Sequence, residues 1–177
     1  KTNTGIFELI CKFKNVHWTI STETIEEEYN YVRHHGNWND FLSNFKIIKE
    51  LPHKVTFNML YFVLNYRSLF DCVKYFQELG VHNNSFVIGP LYNPVWLNIL
   101  NLPQDTIQEC IKMLDQEISK NPGFLLQNSY ENIRRYLTDT KFYANIELTK
   151  QEIQKMDLRR NIDSKKIFPE LYKEVLK

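Results

Sequence analysis

The sequence is short of cysteine, short of glycine, and without an excess of either charge. Its three cysteines, Cys11, Cys72 and Cys110, stand far apart in 177 residues and are odd in number. They offer no disulfide framework and no C-x-x-C pair. A reducing, cytosolic (cytoplasmic) setting is the resulting expectation. Five glycines are scattered, with no G-x-G-x-x-G and no Walker pattern, which removes the common phosphate-cradling loops. Lys and Arg total 22 against 21 Asp and Glu, a formal net charge of +1. Sequence-independent binding to nucleic acid needs a basic surplus, so no nucleic-acid partner is expected. No apolar run approaches the ~18 residues of a membrane span, and no charged-then-apolar leader opens the sequence. Neither a membrane nor secretion is expected.

What is present is the balance of an ordinary globular domain, 43% hydrophobic and 24% charged residues. The length suits one domain with a real core. Thr4 reads as the cap of a short helix reaching about Phe13, with Ile6, Leu9, Ile10 and Phe13 on one face. Val16 to Ser21 is β-branched and aromatic and reads as a strand. Glu26-Glu27-Glu28 suits the positive end of a helix dipole. Gly36 interrupts that helix. Trp38, Phe41, Leu42, Phe45 and Ile48 mark the next one, which stops before Pro52. Lys54 to Leu64 is almost wholly strand-forming and barely alternates, which predicts a parallel strand covered on both faces. Leu69, Cys72, Val73, Phe76 and Leu79 give a helix face ending at Gly80, a C-cap. Ser85 to Gly89 reads as a third strand.

Helices alternating with three strands predict an α/β fold with parallel connections over residues 1–103. Residues 104–177 read as a helical appendage. Its helices are marked by Ile107 to Ile118, by Ile133, Tyr136 and Leu137, by Phe142 to about Met156, and by Pro169 to Leu176.

Several clusters have bland explanations that outweigh the chemical ones. His34-His35 with His17 lack the further ligands of a zinc site and read as solvated loop histidines. Cys72 and Cys110 fall on apolar helix faces, where a thiol behaves as a small hydrophobe. The 12 Phe and 10 Tyr come without a basic surface and read as core rather than a base-stacking platform. The informative polar residues follow the strands. Ser21 and Glu23 come after the first, Asn65 ends the second, and Gly89 to Asn93 end the third. Parallel sheets bind ligands at that edge, although turn and capping roles would also place polar residues there.

Ser21-Thr22-Glu23, Tyr31-Val32-Arg33, Gly36-Asn37-Trp38, Val55-Thr56-Phe57-Asn58 and Val63-Leu64-Asn65 occur in that order. Pro90 to Pro94, Leu102-Pro103, Met156 to Arg160 and Phe168 to Leu171 follow them. In order and spacing this series resembles the latter half of a radical S-adenosylmethionine (radical SAM) enzyme of the type with a C-terminal twitch domain. In that family a partial (β/α)6 barrel holds a 4Fe-4S cluster that binds and reduces S-adenosylmethionine. The 5′-deoxyadenosyl radical so released abstracts hydrogen from a substrate. The resemblance implies that Ser21 and Glu23 approach the ribose or methionyl end, and that Arg33 pairs with the methionyl carboxylate. It places Asn65 near the ribose hydroxyls, and Leu91 and Tyr92 near the adenine.

The family's C-x-x-x-C-x-x-C cluster loop is absent from this sequence, and Glu23 stands where Asp is commoner. No cysteine beyond Cys110 could hold the auxiliary cluster of many twitch relatives. Thr2-Asn3-Thr4-Gly5 resembles the tail of the loop after the third strand. The expectation is therefore the C-terminal half of a partial barrel, about three parallel strands, with a helical extension. It would belong to a radical SAM oxidoreductase and be inactive alone, its 4Fe-4S ligands lying outside this sequence. Its substrate would be a peptide or small molecule. The rival expectation is an α/β interaction domain that keeps the scaffold without the chemistry.

Overall fold

The computed structural model describes residues 4–141 and 145–176. The expected loop tail at Thr2-Asn3 and the expected helix start at Phe142 lie outside the described residues. Three strands, β1 (His17–Ser21), β2 (Lys54–Tyr61) and β3 (Phe86–Pro90), form one parallel sheet in the order β1-β2-β3. The register pairs Ile20 with Phe57 and Phe57 with Phe86, so these three positions form a row across the sheet. Helices α1 (Thr4–Ile10), α2 (Glu26–Val32), α3 (Trp38–Lys49) and α4 (Ser68–Glu78) accompany the strands. The later part is helical: α5 (Gln104–Lys120), α6 (Leu125–Asp139), α7 (Ile146–Arg160), α8 (Ser164–Ile167) and α9 (Pro169–Glu174). Among the described residues no strand follows Pro90, and no helix is long and apolar enough to cross a membrane.

The core sits on one face of the sheet. Phe57, Met59, Phe86 and Ile88 are buried there, and the Phe57 ring packs on Phe45 of α3 and Phe76 of α4 at 5.4 and 4.5 Å. Helix α4 ends as expected. Gly80 takes φ +88°, and the N–H groups of Gly80 and Val81 return to Gln77 O and Phe76 O. Helix α6 seals the outer edge of β3, where Ser129 Oγ accepts from Ile88 N at 3.1 Å. Cys72 and Cys110 are buried as expected, and burial pushes the Cys110 thiol up to about 11.

The other face corrects the sequence reading. A strand covered on both faces was expected for residues 54–64, yet Asn58 is exposed and Leu60 only half-buried. Thr19, Ser21 and Val87 share that face by the period of two and are exposed as well. The strand also stops at Tyr61, and Val63–Asn65 turns as a short 3-10 helix. Parallel sheets are ordinarily covered on both sides; this one is covered on one. The apolar face of α1 is likewise open, with Ile6 and Leu9 more than half exposed, and the helix stops at Ile10, short of the expected Phe13, which is exposed too.

Candidate functional site

The segment leaving β1 turns inward rather than out. Thr22, Glu23 and Thr24 are all buried, and Thr22 Oγ1 donates to Thr24 O at 2.9 Å. Asn65, fully buried in the 3-10 turn that follows β2, ties the Thr22–Thr24 segment to that strand. Its Nδ2 donates to Glu23 O (3.1 Å) and Leu60 O (2.8 Å), while its Oδ1 accepts from Phe62 N at 2.8 Å. One amide thus satisfies three backbone groups that lie beyond the sheet ladder.

Glu23 is 3% exposed, which for a carboxylate requires a partner. The partner is Arg33, the residue that ends α2. Arg33 Nε and Nη2 bind the two oxygens of Glu23 at 3.1 and 2.5 Å, the fork geometry that lysine cannot reproduce. Burial pushes the Glu23 carboxyl above its ordinary range, and the guanidinium opposes that rise. Arg33 could have paired within its own helix, with Glu28 about one turn earlier. The structure pairs it with Glu23, while Glu28 accepts from Ser68 Oγ at 2.5 Å.

The pair stands at the rim of a cavity of about 320 Å³ at the C-terminal edge of the sheet. Leu60 and Leu91 come to it from the ends of β2 and β3, and Phe62 and Leu64 extend the same wall. Trp96 and Leu97 close one side. Met156 and Arg160, both from α7, close another. Side chains at both ends of α7 fasten it. Thr149 Oγ1 donates to Trp96 O at 2.6 Å, and Tyr31 Oη donates to Asp157 at 2.8 Å. An apolar chamber with a few polar groups at one end has the make-up of a small-molecule site.

Of the residues singled out in the sequence, Glu23, Arg33 and Leu91 line this cavity. Asn65 stands behind it with its amide fully engaged, so it acts on the site by holding the Glu23 backbone. Ser21 pairs in register with Asn58 on the open sheet face. Tyr92 is 59% exposed, with its ring 5.4 Å from that of Tyr136. Neither of these two lines the cavity. Comparison with known proteins finds no matching family model, curated protein or solved structure.

Trp96, Met156 and Arg160 line the cavity without having been marked as site residues by the sequence. The Arg159-Arg160 doublet at the end of a helix was a visible signal. Which of the two turns toward the sheet depends on contacts from Arg160 to a residue 129 positions away. Among the described residues, no three His, Cys, Asp or Glu side chains are placed to hold a metal ion.

Proposed function

We propose that this cavity is the S-adenosylmethionine and substrate site of the C-terminal part of a radical SAM oxidoreductase. One observation carries the reading. A buried carboxylate and its bidentate arginine, two of the six residues the resemblance assigns to the cofactor, meet at the C-terminal edge of parallel strands. The uncovered sheet face supports it, since the inner face of a half barrel would be open in this way.

The residues present fit S-adenosylmethionine. Leu91 and its apolar neighbours suit an adenine ring, and the Glu23–Arg33 pair suits hydroxyl, ammonium or carboxylate groups. In this pair Arg33 uses Nε and Nη2 on Glu23, which leaves the Nη1 donors for a ligand oxygen. Asn65 keeps the carboxylate in place from behind. The cysteines do not fit an iron-sulfur cluster, because Cys72 and Cys110 are buried, and burial keeps their thiols protonated. We therefore assign the 4Fe-4S ligands to sequence outside this chain and derive no step through the cluster.

The test is titration calorimetry of S-adenosylmethionine against the full-length protein. Arg33→Ala should weaken binding more than the exposed control Lys173→Ala. A charge-assisted hydrogen bond contributes about 1.5–3 kcal/mol, a loss on the order of tenfold to a hundredfold. Arg33→Lys should restore only part of it. Equal affinities for Arg33→Ala and the control would remove Arg33 from the site. The rival, an α/β interaction domain without chemistry, is favoured by the exposed apolar face of α1. A full-length protein that binds no S-adenosylmethionine would decide for it.

A further inference from the structure

Arg160, the last residue of α7, is half-buried in the cavity wall. Its Nη1 donates to Tyr31 O at 2.8 Å, and its guanidinium carbon lies 5.6 Å from the centre of the Tyr31 ring. These contacts set the plane of the guanidinium yet use one of its five N–H donors. The acidic groups around it are already occupied. Asp157, one turn earlier, accepts from Tyr31 Oη through one oxygen and from Ser164 N and Oγ through the other. Glu23 gives both oxygens to Arg33. None of the ion pairs among the described residues includes Arg160. The charged lining of the cavity is one carboxylate and two guanidiniums, an excess of one positive charge among the lining residues, and Asp157 beside it turns its oxygens to Tyr31 and Ser164. An oriented guanidinium facing an apolar chamber is a receptor for an anion, and for a planar carboxylate above all.

We propose that Arg160 anchors a carboxylate of the ligand held in this cavity. The ligand class is an apolar body with one carboxylate end. The inference rests on the reading of the cavity as a ligand site and narrows it. S-adenosylmethionine itself carries such a carboxylate, and a carboxylic-acid substrate bound beside it would carry another.

The experiment uses the full-length protein and three probes: S-adenosylmethionine, its decarboxylated analogue, and 3-phenylpropionate added at saturating S-adenosylmethionine. If the anchored group is that of S-adenosylmethionine, Arg160→Gln weakens it by on the order of tenfold to a hundredfold. The decarboxylated analogue should then stay within about twofold of wild type, and Arg160→Lys should recover part of the loss. If the group belongs to the second ligand, 3-phenylpropionate shows the loss and S-adenosylmethionine does not. Unchanged affinity for both carboxylates, or an equal loss for the decarboxylated analogue, overturns the anchor. Leu91→Trp, which fills the cavity, separates the two levels of argument. If it blocks binding while Arg160→Gln does not weaken it, only the anchor fails. If it leaves binding intact, the cavity reading fails and the anchor with it. Should Arg160→Gln melt early for want of its bond to Tyr31, Arg160→Lys against the same probes carries the comparison. A Lys variant that fails to discriminate the carboxylate probe from its decarboxylated partner any less than wild type overturns the planar-fork argument.

Discussion

A carboxylate as buried as Glu23 shapes how the protein responds to pH. Its folded pKa lies above the ordinary 4.5, because burial outweighs the help of Arg33. The folded state then holds this proton more tightly than the unfolded chain does. Ionising Glu23 therefore costs stability as pH rises through the folded pKa, and the cost vanishes below about 4.5. Arg33→Ala removes the group that limits this cost. The variant should lose about 2 kcal/mol near neutral pH, less than the ~3–5 kcal/mol of a fully dehydrated pair, because Arg33 is 39% exposed. The gap between wild type and variant should narrow on acidification, once Glu23 is protonated in both. Denaturation curves at about pH 7 and about pH 4 measure it, and a gap that ignores pH would show the pair to be electrostatically idle. The types of these two residues were legible in the sequence, and their partnership was not. Glu23 precedes its helix and Arg33 closes it, so the pair forms only once α2 is built at its observed angle to β1. Arg160 was further from view, since its place depends on where α7 lands.

At the scale of elements, the turn after α2 decides where Arg33 points. Gly36 N returns to Arg33 O at 2.5 Å, and a Cβ on Gly36 would lie 2.6 Å from that oxygen and 3.0 Å from Arg33 Cβ. No side chain fits at such separations, so here glycine is required by close approach of the backbone. Gly36→Ala should push Arg33 away from Glu23 and weaken S-adenosylmethionine binding, although Gly36 does not line the cavity. The loss should approach that of Arg33→Ala, and an unchanged affinity would show that the turn can shift without moving the guanidinium. The elements themselves were largely readable from local pattern. The strand-forming run of residues 54–64 and the Gly80 cap announced β2, which stops three residues earlier, and the end of α4 without reference to distant contacts. The covering of the sheet was less legible. Thr56 and Asn58 put polar side chains on the face that is open, a period-two signal masked by the strand-forming run around them.

For the whole molecule, the sheet is lopsided. Its β3 edge is sealed by Ser129 of α6, whereas β1 has β2 on one side only. Beside that free edge stand Phe7, whose ring is 6.3 Å from Trp18, and the exposed Ile6, Leu9 and Phe13. An unpaired strand edge flanked by apolar surface promotes association. Residues 1–177 should dimerise or aggregate in light scattering. A cooperatively melting monomer of these residues would show that the edge is already content, and would speak for a self-sufficient domain.

The fastening of α7 has a temporal consequence. Asp157 and Arg160 bond back to Tyr31, 126 and 129 residues earlier, and Arg160 with Met156 supplies a wall of the cavity. During synthesis, everything through Asp139 can emerge and organise while this wall does not yet exist. Contacts of such long range are the slowest to form, because the intervening loop must close before they contribute. The sheet is therefore expected to assemble ahead of the chamber it supports, and the proposed ligand site to be completed last.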